Sequence, residues 1–436
     1  MKQAINIFWF RRDLRINDNI GLYQALQSNA KTLPIFIFDS DILDQFNKDD
    51  PRITFIHESL LSIKQELQEK YKSDILLYHG KPIDIFKEIT SNYTVSNVFT
   101  NRDYEPYAIK RDNTIEAYLL RKNIAFTSFK DHVIFEKNEI TKEDGKPYKV
   151  YTPYMKKWKT TFKTNLIKYY ETKPYLNQLV KIKQTNFQLE DYGYVKSTQK
   201  IKKLKNISII IQNYDASKDF LYEDSTTRVG PHIRFGLISI RELVQMSITA
   251  NNETFFKELV WREFFIQILW HFPETITKSF KPLYDTIKWR NNKMEFNAWC
   301  EGNTGYPIVD AGMRQLNKTG FMNNRVRMVA ASFLCKHLLI DWRWGEAYFA
   351  ARLHDYEMAS NIGNWQWVAG SGADAAPYFR IFNPITQLKK FDKNLDYVKK
   401  WVNNYNDSSY PPQIVDHKFA RERCLKTYKE AINSSN

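Results

Sequence analysis

The period of the hydrophobic pattern changes once along the chain, and that change limits the folds open to it. Up to residue 130, short runs rich in β-branched and aromatic residues (5–10, 33–38, 75–78, 97–100 and 125–129) alternate with amphipathic stretches. The intervening stretches, such as 55–71, are long enough for a crossover helix, so the pattern predicts a doubly wound parallel α/β sheet. From residue 207 onward apolar residues recur at spacings of three and four, over 255–272, 309–339 and 342–353, with almost no alternation. That half predicts an all-helical domain. Between them, residues 131–205 are Lys-, Tyr- and Thr-rich with weak periodicity and read as a long surface connector, with short helices around 153–169. The expected organisation is a sheet domain over 1–130, a connector over 131–205 and a helical domain over 206–436.

Composition removes several function classes. The richest apolar run, 259–272, contains Arg262, Glu263 and His271, so no segment has the uncharged length of a membrane-spanning helix. The N-terminus has no signal-peptide core, which places the expected start at Met1 and the protein in the cytoplasm. Three scattered cysteines, Cys300, Cys335 and Cys424, cannot build a disulfide framework or a four-thiolate cluster, and no metal is expected. The turn after the first run reads Arg11-Arg12-Asp13-Leu14-Arg15, without the glycines of a dinucleotide fingerprint, which argues against a nicotinamide enzyme. A formal charge of +15 favours a polyanionic partner, but residues 130–205 hold 18 Lys against 8 acidic residues, so much of the excess sits in the connector. Nine of the eleven tryptophans follow residue 250, which fits either a large helical core or a site for a planar ligand, a stacked base or an electron path.

Spacing within the helical half groups polar and aromatic residues. Glu258, Trp261 and Arg262 share one helical face, as do Asn324, Arg327 and Met328. Alone, the first group reads sooner as an amphipathic helix with an i,i+4 ion pair than as a site. Residues 354–361 add Asp355, Glu357 and Asn361 just before Trp365 and Trp367.

The segments Trp9-Phe-Arg-Arg-Asp-Leu-Arg15, Trp261-Arg-Glu-Phe264, Thr304-Gly-Tyr-Pro-Ile-Val-Asp310, Asp341-Trp342-Arg343, Asn364-Trp-Gln-Trp367 and Ala373-Asp-Ala-Ala-Pro-Tyr-Phe-Arg-Ile-Phe-Asn-Pro384 resemble the photolyase/cryptochrome family. The resemblance covers essentially the whole chain, in domain order, and is nearest to the class I cyclobutane pyrimidine dimer photolyases of bacteria. It implies one FAD per chain in the helical domain, active as the reduced anion, and a light-driven carbon–carbon lyase acting on dimers in DNA. The alternative it leaves is a blue-light photoreceptor without repair, against which stand a matching lesion pocket, Asn361, and the expected lack of a long signalling tail after Asn436. A monomer bound to DNA, with no membrane association, is expected.

Carried over residue by residue, the resemblance implies FAD contacts at Tyr214, Thr226, Thr227, Arg228, Val229, Gly230, Glu258, Arg262, Asn324, Arg327, Asp355, Glu357 and Asn361. Gly230 stands where Ser is usual, and Glu357 where Asp is commoner. Arg327 is the expected ion partner of Asp355. Asn361 falls where the family faces flavin N5, a position at which light sensors commonly carry Asp or Cys. The implied lesion contacts are Glu258, Trp261, Asn324, Met328 and Trp367, and the absence of paired histidines near 324–328 argues for the cyclobutane dimer over the (6-4) lesion. Trp365, Trp342 and Trp289 match the electron relay. Lys218, Arg262, Arg325 and Arg380, with Trp261 and Trp367, match DNA contacts, Lys218 replacing a common Arg. For a second, antenna chromophore, Asn47, Tyr107 and Ala108 stand where a folate site would have His, Asn and Glu, which speaks against folate and leaves a flavin, a deazaflavin or an empty pocket.

Overall fold

The computed structural model describes residues 4–163, 167–204, 206–223 and 225–433; Met1, the boundary expected at Lys205, and Asn436 lie outside the described residues. The chain divides into two compact units, each built from three stretches. The sheet unit comprises 1–139, 160–203 and 229–246, and the helical unit 140–159, 204–228 and 247–436.

In the sheet unit five strands, β1 (Ile5–Phe10), β2 (Thr32–Asp39), β3 (Leu76–Gly80), β4 (Val95–Asn101) and β5 (Ala125–Phe129), pair in parallel in the order β3-β2-β1-β4-β5. Central β1 pairs on both sides, with Trp9 opposite Ile35 and Thr100. Successive side chains of a strand point to opposite faces, and both faces are apolar here. Phe8 and Phe10 join α1 (Ile20–Gln27) and α2 (Pro51–Tyr71) in one core, while Ile7 and Trp9 join α3 (Pro82–Asn92) and α4 (Pro106–Leu120) in the other. Proline begins α2, α3 and α4, and Asn19 and Asp50 cap α1 and α2 through their side chains.

The turn after β1 is an ion-pair hub. Arg15 Nη2 donates to Asp131 (2.6 Å), and Arg241 donates through Nη2 to Asp131 (2.8 Å) and through Nε to Asp18 (3.0 Å), all four side chains being at most 10% exposed. Residues 229–246 therefore belong with the sheet rather than with the helical domain expected from 206 onward. Gly236 (φ +70°) makes the approach possible, since a Cβ there would lie 2.1 Å from the Arg12 carbonyl oxygen.

The stretch 131–205 does not stand apart as a solvated connector. Residues 140–159 belong to the helical unit and 160–203 to the sheet unit, where Phe187 stacks on Phe38 at 5.1 Å. Helix α5 (Tyr151–Thr161) buries Tyr151, Tyr154, Met155 and Trp158 along one stripe. Its lysines occupy the other faces, so the helix expected around 153–169 is present but amphipathic, its buried stripe hidden by the charge average.

The helical unit is packed around α6 (Glu253–His271), α7 (Pro307–Thr319), α8 (Asn324–Ser332), α9 (Trp342–Arg352), α10 (Met358–Ala369) and α11 (His417–Asn433). The expected run 309–339 is interrupted at Gly320 (φ +63°), which ends α7, and finishes in a π-turn over Phe333–His337. Among the described residues no helix is long and apolar enough to cross a membrane.

Candidate functional site

A cavity of about 410 Å³ opens within the helical unit, in the size range of small-molecule and cofactor pockets. Helix α6 contributes Glu258, Trp261, Arg262 and Phe265; α8 contributes Asn324, Arg327 and Met328; the turn before α10 contributes Asp355 and Glu357. Asn361, Trp365 and Trp367 of α10 and the half-buried Tyr214 complete the wall used below. The spacings of three and four residues on α6 and α8 thus do bring those side chains to one surface.

Charge pairing within the wall crosses between helices. Arg262 Nη2 donates to Glu357 Oε1 at 2.9 Å, both side chains about 10% exposed, in place of the i,i+4 pair with Glu258 that spacing alone would allow. Arg327 Nη2 donates to Asp355 Oδ2 at 2.8 Å, the pairing expected from the resemblance. Glu258 is reached from the cavity, yet the protein around it desolvates its carboxyl and raises it above the usual range, with Asp219 adding to this and Lys218 opposing it. Asn361 sits inside α10, and its Nδ2 donates to the Glu346 side chain (2.9 Å) and backbone carbonyl (3.2 Å). Burial also raises the Glu346 carboxyl.

The wall fits a flavin. Among the described residues Asp355 Oδ1 is buried without a hydrogen-bond partner while Oδ2 is held by Arg327, leaving an oriented acceptor for a ligand hydroxyl or N–H. With its amide nitrogen given to Glu346, Asn361 has only Oδ1, a second acceptor, to offer. Phe265, Trp365 and Met328 supply the apolar surface that a planar ring needs.

The remaining expected residues lie elsewhere. Thr226, Thr227 and Arg228 belong to the helical unit and Val229 and Gly230 to the sheet unit, and none of the five is among the residues lining the cavity. Gly230 opens a helix of only five residues, while Arg228 (φ +49°) lies over the Phe321 ring at 3.8 Å. Lys218 and Arg325 both pair with Asp219, at 3.5 and 3.2 Å, and Arg380 is exposed. Arg262, expected on DNA phosphate as well as on cofactor, is committed to Glu357 in the wall. Trp342 is 1% exposed, its Nε1 without a hydrogen-bond partner among the described residues, and half-buried Trp289 meets Tyr428 edge-on at 6.0 Å and packs against the core that holds Trp342 and Trp365. Trp365 touches Phe349 (5.0 Å) and Trp299 (6.2 Å), and Gly345 leaves it room, since a Cβ there would lie 2.1 Å from the indole. In the sheet unit Asn47 is exposed, Ala108 buried, and the Tyr107 hydroxyl donates to Asp39 at 2.8 Å. Sequence reasoning missed Glu346, Trp299 and Tyr151, which act through contacts to distant parts of the chain.

Residues 6–174 match the family model described as DNA photolyase, and residues 255–409 the one described as FAD binding domain of DNA photolyase. A deoxyribodipyrimidine photo-lyase of Agrobacterium fabrum is 34% identical over 98% of both chains. This chain belongs to the DNA photolyase family. Among solved structures, the photolyase-family chain superposes on a bacterial class III photolyase from Agrobacterium tumefaciens with a TM-score of 0.88 (33% identity, 99% of this chain and 98% of that one). An archaeal photolyase from Sulfolobus tokodaii, described with two FAD molecules, gives 0.84 (30% identity, 98% of this chain and all of that one).

Proposed function

We propose that this photolyase-family chain splits cyclobutane pyrimidine dimers in DNA under light, holding one FAD, in its reduced form, against the wall of the helical-unit cavity. The observation that carries the reading is the convergence of Glu258, Trp261, Asn324, Met328, Asn361 and Trp367, from three separate stretches of sequence, on one cavity. The chemistry supplied by bound FAD, once reduced and excited, is transfer of one electron to the dimer and its recovery after the ring has split. The chain binds and orients. Trp261 and Trp367 offer faces for two unstacked pyrimidines, Glu258 and Asn324 hydrogen-bond base edges, and Met328 fills the apolar gap. Asp355, Arg327, Glu357, Arg262 and Tyr214 would hold the cofactor, and the Asn361 carbonyl accepts from an N–H of the kind that a reduced flavin carries. Lys218, Arg325 and Arg380 are assigned to phosphate, where their role is positional.

The decisive experiment illuminates purified, reduced protein with dimer-containing DNA. Loss of dimers in the light and not in the dark, from a yellow or blue protein releasing one FAD per chain, is expected. A folded, FAD-loaded protein that leaves dimers intact overturns the reading, and two FAD per chain would assign the antenna to a flavin.

Glu258 makes binding pH-dependent. Its raised carboxyl keeps its proton to higher pH than an ordinary glutamate and can then donate to a pyrimidine carbonyl. Affinity for damaged DNA should fall as pH rises from the ordinary glutamate range through the raised value, and Glu258→Gln, which keeps a donor, should flatten the profile. Stability carries the same sign: the unfolded state ionises first, so this residue costs the folded protein stability as pH rises. A profile unchanged by Glu258→Gln would remove the residue from lesion contact.

A further inference from the structure

Trp261 is stacked face to face on Tyr151, with ring centroids 3.6 Å apart and planes 6° from parallel. Tyr151 is 7% exposed and does not line the cavity, whereas Trp261 does. The tyrosine thus backs the indole, while Phe265, which lines the cavity beside it, packs against the indole at 5.5 Å with planes 28° apart. Three further contacts hold Tyr151 in place: its hydroxyl donates to the Lys257 carbonyl (3.0 Å), one turn before Trp261; its backbone N–H donates to Asp374 Oδ2 (3.2 Å); and its ring meets Phe264 edge-on at 5.8 Å. At the other end of α5, Trp158 Nε1 donates to Glu263 Oε1 at 2.9 Å, so the helix is pinned along α6 on both sides of the stack. Asp374 lies in the same loop as Arg380.

We propose that Tyr151 is a positioning residue for lesion recognition, its ring fixing the plane in which Trp261 meets the extruded pyrimidine. The inference rests on the lesion-binding reading of the cavity. An indole on a half-buried helix face has several χ1 and χ2 wells, and a base can stack only on one that is held flat to it. The stack removes the alternatives before DNA arrives, which is preorganisation of a binding surface. Asp374 ties the same ring's backbone to the loop bearing Arg380, so base stacking and phosphate contact share one anchor.

The test measures dark equilibrium affinity for matched damaged and undamaged duplexes. Tyr151→Leu should weaken binding to damaged DNA about 3- to 10-fold, the range of an aromatic pair, and leave undamaged binding within about twofold. Tyr151→Phe, which keeps the ring and loses only the hydroxyl, should restore the damaged-to-undamaged ratio. A merely structural role would lower FAD content, melting temperature and both affinities together, leaving the ratio unmoved, and that outcome overturns the proposal. If Tyr151→Leu does not fold, Tyr151→Met, which fills the volume without a flat face, carries the same comparison; if neither folds while Tyr151→Phe does, the ring is a folding requirement and the inference falls. Failure of the wild-type protein to prefer damaged DNA would sink the lesion-binding reading itself, whereas preference in the wild type with an unchanged ratio in Tyr151→Leu sinks this inference alone.

Discussion

Trp365→Phe is expected to abolish light-driven reduction of oxidised, protein-bound flavin while leaving dimer repair by the chemically reduced protein nearly intact. Trp365 is 2% exposed and sits in the core that holds Trp342 and against which Trp289 packs, and of these three indoles proposed as a relay it is the one that lines the cavity. Phenylalanine keeps the apolar contacts with Phe349 and Trp299 but is much harder to oxidise, so the site stays packed and the electron route is cut. The lesion contacts assigned to Glu258, Trp261 and Asn324 come from other helices and are untouched. The measurement is flavin absorbance under illumination with an external reductant, set beside dimer loss after chemical reduction. Equal loss of both activities would mean that Trp365 supports the site's shape, and unchanged photoreduction would move the relay elsewhere.

Arg241→Met should destabilise the sheet unit by about 3–5 kcal/mol, the cost of leaving buried charge uncompensated. Arg241 is the cation on Asp18, holding it at 3.0 Å, and shares Asp131 with Arg15. Burial alone would raise the Asp131 carboxyl, but the Arg15 and Arg241 guanidiniums hold it well below the usual carboxylate range. Its stabilising contribution is therefore present above the ordinary carboxylate pKa and is lost as pH falls below about 4. Arg241→Met should weaken that acid sensitivity as well as the stability at neutral pH. Urea unfolding followed by a sheet-unit probe at two pH values checks both, and a loss below about 1 kcal/mol would show that water or Arg15 compensates.

Much of the architecture was legible in the sequence because strands and helices announce themselves by local period. Runs 5–10 and 125–129 coincide with β1 and β5, and the expected helix over 255–272 matches α6 within two residues. Helix α5 was equally readable in principle, since Tyr151, Tyr154, Met155 and Trp158 follow the i, i+3, i+4, i+7 pattern. Short helices were expected around 153–169, but averaging charge over the surrounding lysines obscured the buried stripe, and with it the backing of Trp261.

By itself the sequence determined the two fold classes, the family, and which faces of α6 and α8 carry the site residues, because each rests on neighbours within a turn or on contiguous motifs. Apart from the expected Arg327–Asp355 pair, tertiary structure alone decided the partners. Arg262 takes Glu357, 95 residues away, although Glu258 stands one turn from it, and Asn361 gives its amide to Glu346. Residues 229–246 join the sheet through the Arg241 and Gly236 contacts, and Tyr151 reaches Trp261 across 110 positions. Spacing fixes which side chains share a helix face, but the choice among competing partners follows from how closely packed backbones bring desolvated groups together, and that distance is not encoded in any local repeat.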